Sequence, residues 1–210
     1  MDLGDLRAVG TALSASQVLS AYRAGLFPMG LGESGAGPIG WWAPRRRGVL
    51  RTGELRVAKS LRRSARRFEW SVDQRFPEVI AACADSGRSG AWITPAVVDI
   101  YSELHDRGHA HSVEVLREGE LVGGLYGVAF GSVFAGESMF HRVSDASKVA
   151  LLRLVEILDA VNSEVPWIID TQWQTPHLES LGVSEIDGFE YLQALGRAES
   201  GPHSQVFLTQ

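Results

Sequence analysis

One cysteine, Cys83, stands among 210 residues, so no disulfide can form within the chain and a reducing compartment is expected. One cysteine and six scattered histidines also speak against a structural zinc site. No apolar run approaches the roughly 18 residues that span a bilayer. Met1-Asp2-Leu3-Gly4-Asp5 is acidic and lacks the core of a signal peptide. The expectation is a soluble cytoplasmic protein without a membrane partner. The chain has no G-x-x-x-x-G-K-S/T phosphate loop and no G-x-S-x-G nucleophile turn. Cys83 carries no local nucleophile signature, so nothing points to a covalent mechanism, a metal or another cofactor.

Acidic residues are scarce in one stretch. The net charge is −5, yet ten of the twenty Lys and Arg lie between Arg45 and Arg67, opposed there only by Glu54. A local basic field on an acidic protein points to an anionic partner. Residues 57–68 fit a helix with two faces: Val57, Leu61, Ala65 and Phe68 form an apolar stripe. Lys59, Arg62, Arg63, Arg66 and Arg67 recur at i, i+3, i+4, i+7 and i+8 on another. The plain alternative is a solvated face; five cations without interleaved acids favour anion binding.

With 45% apolar residues the chain can bury a substantial core. Ser14-Ala15-Ser16-Gln17 has the capping-box pattern and opens a helix ending at Gly25. Residues 30–40 are glycine-rich and read as a loop, and residues 1–50 are taken as a small N-terminal domain. A helix is predicted from Pro95 to Arg107, ended by Gly108. Strands follow at His111–Leu116, Leu121–Phe130 and Val133–Phe140. A long helix then runs from Ser144 or Asp145 through Asn162. Trp167–Gln172 is a short buried strand, and Val206–Leu208 is a candidate last one. Three strands in a meander, a helix and a further strand predict an α+β domain over 51–210 with a mixed, mostly antiparallel sheet flanked by helices.

Gly123, Gly124 and Gly127 weaken one predicted strand, so a ligand, another backbone or a bulge must require them. Glu137 and Asp170 are acids at the ends of apolar strands, each costly unless paired or working. Gln172 shares a strand face with Asp170, and a carboxylate beside an amide suits the handling of an amine. Trp41, Trp42, Trp92 and Tyr101 could be core, or could hold a base by stacking. His105, His109 and His111 straddle a helix end and a strand start, which makes them packed or solvated groups rather than ligands.

In order along the chain come Tyr22-Arg23-Ala24-Gly25-Leu26-Phe27-Pro28, Trp41-Trp42-Ala43-Pro44, Ala91-Trp92-Ile93 and Tyr101-Ser102-Glu103-Leu104-His105. They are followed by Gly108–Glu114 and the dense segment Leu121–Ala129, then Gly136-Glu137-Ser138-Met139-Phe140, Asp145-Ala146-Ser147-Lys148, Ile169-Asp170-Thr171-Gln172 and His177–Gly182. Together they resemble the bacterial leucyl/phenylalanyl-tRNA–protein transferases over nearly the whole length. The resemblance implies a small N-terminal domain and a GNAT-like acyltransferase domain. It implies transfer of Leu or Phe, with Met weaker, from aminoacyl-tRNA to proteins with N-terminal Arg or Lys, creating a degradation signal under the N-end rule. It places the amino-acid side chain among Leu125, Phe134, Leu151, Leu154, Leu158 and Ile169, and the terminal adenosine at Trp42, Trp92 and Tyr101. The tRNA phosphates fall to Lys59, Arg62, Arg63, Arg66 and Arg67, and catalysis to Asp170, Gln172 and Glu137. The donor ester is already activated, so no cofactor is implied. Met29, Ala43, Arg45-Arg46-Arg47, Asp145 and Asp187-Gly188-Phe189 depart from the family's usual pattern. Two other readings are an acyl-CoA-dependent GNAT N-acyltransferase and a non-catalytic tRNA-binding protein.

Overall fold

The computed structural model describes residues 3–11, 13–85, 87, 92–161, 166–198 and 207. The chain begins with β1 (Leu6–Gly10), α1 (Ala15–Arg23), β2 (Phe27–Gly30), β3 (Ile39–Trp42) and β4 (Arg46–Arg51). Next come α2 (Lys59–Ala65), β5 (Glu69–Val72), α3 (Phe76–Cys83) and α4 (Pro95–Asp106). The meander is β6 (Ala110–Arg117), β7 (Glu120–Phe130) and β8 (Val133–His141), followed by α5 (Ala146–Val161) and β9 (Ile168–Gln172). The described chain closes with α6 (Pro176–Ser180), β10 (Ser184–Asp187) and α7 (Gly188–Ala198).

A three-stranded sheet has the order β1-β3-β2, and a seven-stranded sheet the order β10-β4-β9-β8-β7-β6-β5. Among the described strands only β8 and β9 pair in parallel. A parallel pair needs a crossover, and α5 supplies it. That helix packs on β6, β7 and β8, while α3 covers the same strands. The fold is thus α+β with a mixed, mostly antiparallel sheet.

Local sequence explains most ends. Ser14 caps α1 by accepting from the Gln17 amide, and Gly25 follows in the left-handed conformation (φ 78°). Two expectations change. The helix over 57–68 is shorter, because turn hydrogen bonds from Arg67 N to Ser64 O and Phe68 N to Ala65 O replace its last α-turn. Residues 46–50 are not in the N-terminal sheet: β4 lies between β10 and β9, so a division at residue 50 falls inside a strand of the large sheet. The expected strand at 206–208 lies outside the described residues except for Phe207, whose ring stacks on His111.

The glycines of β7 answer to the protein itself. A Cβ at Gly127 would lie 2.2 Å from Ala135 O, and one at Gly123 would lie 2.5 Å from the Ala146 Cβ at the start of α5. The close approach is that of strand β8 and helix α5, not of a ligand.

Candidate active site

Strands β8 and β9 pair only at Val133–Ile168, Phe134–Ile169 and Ala135–Asp170. Beyond Ala135 the register between β7 and β8 slips: Tyr126 faces Ser138 while Gly127 faces Gly136, which leaves Glu137 as an extra residue. A matching slip between β4 and β9, from Gly48–Gln172 to Val49–Asp170, leaves Thr171 extra. Bulges of this kind re-aim side chains and end pairing. Here they occur on two adjacent strands at the same level.

A cavity of about 280 Å³ opens at this point. Leu125, Phe134, Leu151, Leu154 and Ile169 line it, joined by Leu50, Met139, Leu178 and Val183. Of the six apolar residues expected here, Leu158, on α5, is buried in the same apolar core but does not reach the cavity wall. Glu137, Thr171 and Gln172 form the polar end of the cavity, and Thr175 and His177 approach from α6.

Glu137 sits in a chain of hydroxyls. Tyr101 Oη donates to its Oε2 at 2.9 Å, and Tyr22 Oη lies 2.6 Å from Tyr101 Oη. Burial pushes the Glu137 carboxyl up to about 7, against the lowering effect of the two tyrosine hydroxyls. Its Oε1 has no hydrogen-bond partner among the described residues, and neither has the Gln172 side-chain nitrogen. Gln172 is held in the left-handed region at φ 59°, a conformation that costs a residue with a side chain about 1–3 kcal/mol.

Asp170 is placed differently from its expected role beside the amine. It is 0% exposed and lies behind the cavity, outside its wall. Arg47 meets it side-on, with Nε to Oδ1 at 2.8 Å and Nη2 to Oδ2 at 2.6 Å. Tyr191 Oη donates to Oδ2 at 2.8 Å and the Gln172 amide to Oδ1 at 2.9 Å. These four bonds use the carboxylate's acceptor sites, roughly four in number. Arg47 also donates to Gly25 O, and its guanidinium lies 4.8 Å from the Phe27 ring and 4.5 Å from the Tyr191 ring. Burial, and then the Asp170 charge, hold the Tyr191 hydroxyl well above its ordinary pKa. Neither Arg47 nor Tyr191 was singled out by periodicity or local motif. Arg47 stands in the sequence as one more cation of the basic stretch.

The aromatic residues expected at an adenosine separate into two groups. Trp42 is 1% exposed, edge-on to Trp173, and Tyr101 is 0% exposed. Neither offers a face to a base, because both pack in the core under the N-terminal sheet and α4. Trp92 is half-buried and could take one.

Lys59, Arg62, Arg63, Arg66 and Arg67 are all exposed, and among the described residues none is ion-paired. Arg66 and Arg67 extend past the end of α2. Helix α2 packs on α5. A groove lined by Arg56, Ser60, Lys148 and Ser180 runs from α2 to the end of α6, the same helix whose His177 and Leu178 line the cavity. Helix α2 is thus linked to the cavity through α5 and α6, although none of the five cations lines the cavity or the groove. No helix among the described residues is long and apolar enough to cross a membrane.

The model of the leucyl/phenylalanyl-tRNA protein transferase family matches residues 49–196, and that of the family's N-terminal domain matches residues 11–45. A leucyl/phenylalanyl-tRNA–protein transferase from Syntrophobacter fumaroxidans is 49% identical, over 90% of this chain and 81% of the relative. One from Solidesulfovibrio magneticus is 45% identical over 94% and 81%. A solved structure of a functionally unknown conserved protein from Staphylococcus epidermidis covers 87% of this chain and 68% of its own, at 7% identity and a TM-score of 0.43, too weak a likeness to fix the fold type. The family matches and the curated relatives make this chain a member of the leucyl/phenylalanyl-tRNA–protein transferase family, an aminoacyltransferase.

Proposed function

We propose that the protein transfers Leu or Phe, and Met more weakly, from aminoacyl-tRNA to the N-terminal Arg or Lys of acceptor proteins. The product carries a new peptide bond and a degradation signal. The observation that carries this reading is an apolar cavity that also presents Glu137 and Gln172, with exposed cations on α2, a helix packed against the α5 that supplies Leu151 and Leu154 to the cavity wall.

The donor's side chain enters between Leu125, Phe134, Leu151, Leu154 and Ile169. Burying a Leu or Phe side chain contributes about 1.5–3 kcal/mol. A methylene more or less changes this by only about 1–3 kcal/mol, so Met is a weaker but real substrate. Trp92 takes the terminal adenosine, with Trp42 and Tyr101 supporting the wall behind it. Lys59, Arg62, Arg63, Arg66 and Arg67 hold the acceptor-stem phosphates and read charge and shape rather than sequence.

An aminoacyl ester is already activated, so the protein's task is to hold its carbonyl against a neutral amine, and proximity supplies much of the rate. Gln172 orients the amine. Asp170 acts from behind: its bond to the Gln172 amide fixes the left-handed turn that aims Gln172 at the cavity, and Arg47 and Tyr191 fix Asp170. Glu137 faces the amine or the basic side chain of the acceptor's first residue. The catalytic domain is read as a GNAT-like acyltransferase, supported by the splayed β8–β9 pair and its α5 crossover. The small N-terminal domain ends between Trp42 and Arg46.

The test is incubation with labelled Phe-tRNA, or with an acyl-CoA, and a model protein bearing N-terminal Arg. Label moving from the tRNA into peptide linkage supports the proposal. Transfer from acyl-CoA alone, or tight tRNA binding with no transfer, refutes it.

A further inference from the structure

Two acids stand at this site, and their oxygens are in opposite states. Both oxygens of Asp170 are saturated by Arg47, Tyr191 and the Gln172 amide, so it can accept a proton only by losing a bond. Glu137 keeps one oxygen, Oε1, without a partner among the described residues, on a side chain that lines the cavity. A buried acceptor left unpaired is costly and calls for a partner from the substrate.

The hydroxyl chain fixes which oxygen works. Tyr101 spends its only hydroxyl hydrogen on Glu137 Oε2. The 2.6 Å contact with Tyr22 therefore has Tyr22 donating to Tyr101. While Glu137 is a carboxylate, its Oε2 is thus engaged by Tyr101, and Oε1 is the oxygen open to a proton from the substrate. We infer that Glu137 is the group that takes the proton from the attacking amine and returns it to the departing ribose oxygen, and that Tyr101 and Tyr22 are the positioning residues that hold that exchange at Oε1. The inference rests on the transfer proposed above.

The step balances. The amine lone pair forms the C–N bond at the ester carbonyl carbon, and the carbonyl π pair moves to oxygen. One N–H proton passes to Oε1. The carbonyl re-forms, the ester C–O bond breaks with its electron pair going to the ribose oxygen, and that oxygen takes the proton back from Oε1. Nothing is consumed beyond donor and acceptor. The groups facing Glu137 are Tyr22 from α1, Tyr101 from α4, Arg47 from β4 and Asp170 from β9, with Tyr126 and His177 on the cavity wall. A carboxyl poised near neutrality can both take and give a proton.

The experiment is single-turnover transfer from Phe-tRNA to a peptide with N-terminal Arg, across pH, with the full chain. Glu137→Gln should slow the transfer step by roughly 10²–10⁴-fold, the usual contribution of a general base, while Phe-tRNA affinity stays unchanged. Tyr101→Phe removes a donor to the carboxylate, so the acidic limb of the pH–rate profile should move to higher pH. Tyr22→Phe should move it in the same direction. The acceptor amine ionises alike in all variants, so it contributes nothing to these displacements. A Glu137→Gln protein that keeps most of its transfer rate overturns the inference, as does an acidic limb that stays in place in both folded tyrosine variants. A wild-type chain that transfers nothing from Phe-tRNA overturns the reaction itself, and this inference with it.

Discussion

Replacing Arg47 by Met should destabilise the protein more than any change on the basic surface. Arg47 is 1% exposed and Asp170 0%, so neither charge has water in reserve. The substitution removes both guanidinium bonds to Asp170 and the bond to Gly25 O, and leaves the carboxylate with only Tyr191 and the Gln172 amide. Breaking a buried pair by deleting one partner costs about 3–5 kcal/mol. That is a large share of a total stability of roughly 5–15 kcal/mol. For a chain of this size it corresponds to a fall in Tm of roughly 6–20 °C. Adding Asp170→Asn removes the stranded charge and keeps an oxygen for the Gln172 amide, so the double variant should recover much of the loss. Urea unfolding followed by tryptophan fluorescence measures both, provided the slope with denaturant is unchanged. An Arg47→Met cost below about 1 kcal/mol, or a double variant as unstable as the single one, would refute the view of Asp170 as the hub of a buried ion pair.

Three further outcomes are expected. Because the Glu137 carboxyl is raised from 4.5 to about 7, the folded chain keeps a proton that the unfolded chain has lost. This favours the native state at acid pH and is lost as pH rises through 7. Glu137→Gln should therefore be more stable than wild type above neutrality, by up to roughly 3 kcal/mol, with the gap closing in acid; thermal unfolding at several pH values decides. Leu154→Ala should enlarge the cavity at a cost of about 2–5 kcal/mol and shift competition between charged tRNAs toward bulkier amino acids; unchanged selectivity would place the donor side chain elsewhere. Replacing Arg62 and Arg63 with Gln should reduce the slope of log kcat/KM against log salt by roughly 1.5–2 and leave urea unfolding unaltered; an unchanged slope would remove α2 from the tRNA path.

The meander and its helix were legible because their signals are local. Alternation sets β6, β7 and β8, the Glu118-Gly119 pair turns with positive φ at both residues, and a wide apolar surface marks α5. Ser14 and Gly25 frame α1 for the same reason. The short strands β2, β3, β5 and β10 were harder, since four residues carry too little pattern to separate a strand from a loop. Strand β4 has no local signal of its own: its cations resemble a continuing surface, and only its pairing with β9 and β10 and the burial of Arg47 show that this residue belongs to the interior.

The candidate site divides along the same line. Glu137, Asp170 and Gln172 could be picked out as polar groups among apolar neighbours, and five of the six expected apolar residues line one cavity. What each acid does could not be read there. Both are carboxylates at the ends of buried strands, and their difference lies in partners far away along the chain: Arg47 and Tyr191 for one, Tyr101 and Tyr22 for the other.

By itself the sequence determined the apolar period of the strands, the caps, the concentration of cations in one stretch and the residue types available for chemistry, because each depends on neighbours a few positions apart. Only the tertiary structure decided which arginine is buried, which aromatic residues are core, and which carboxylate keeps an oxygen without a partner among the described residues. Those outcomes depend on two strands parting at paired bulges, and on charges that meet across more than a hundred residues, where no local pattern reaches.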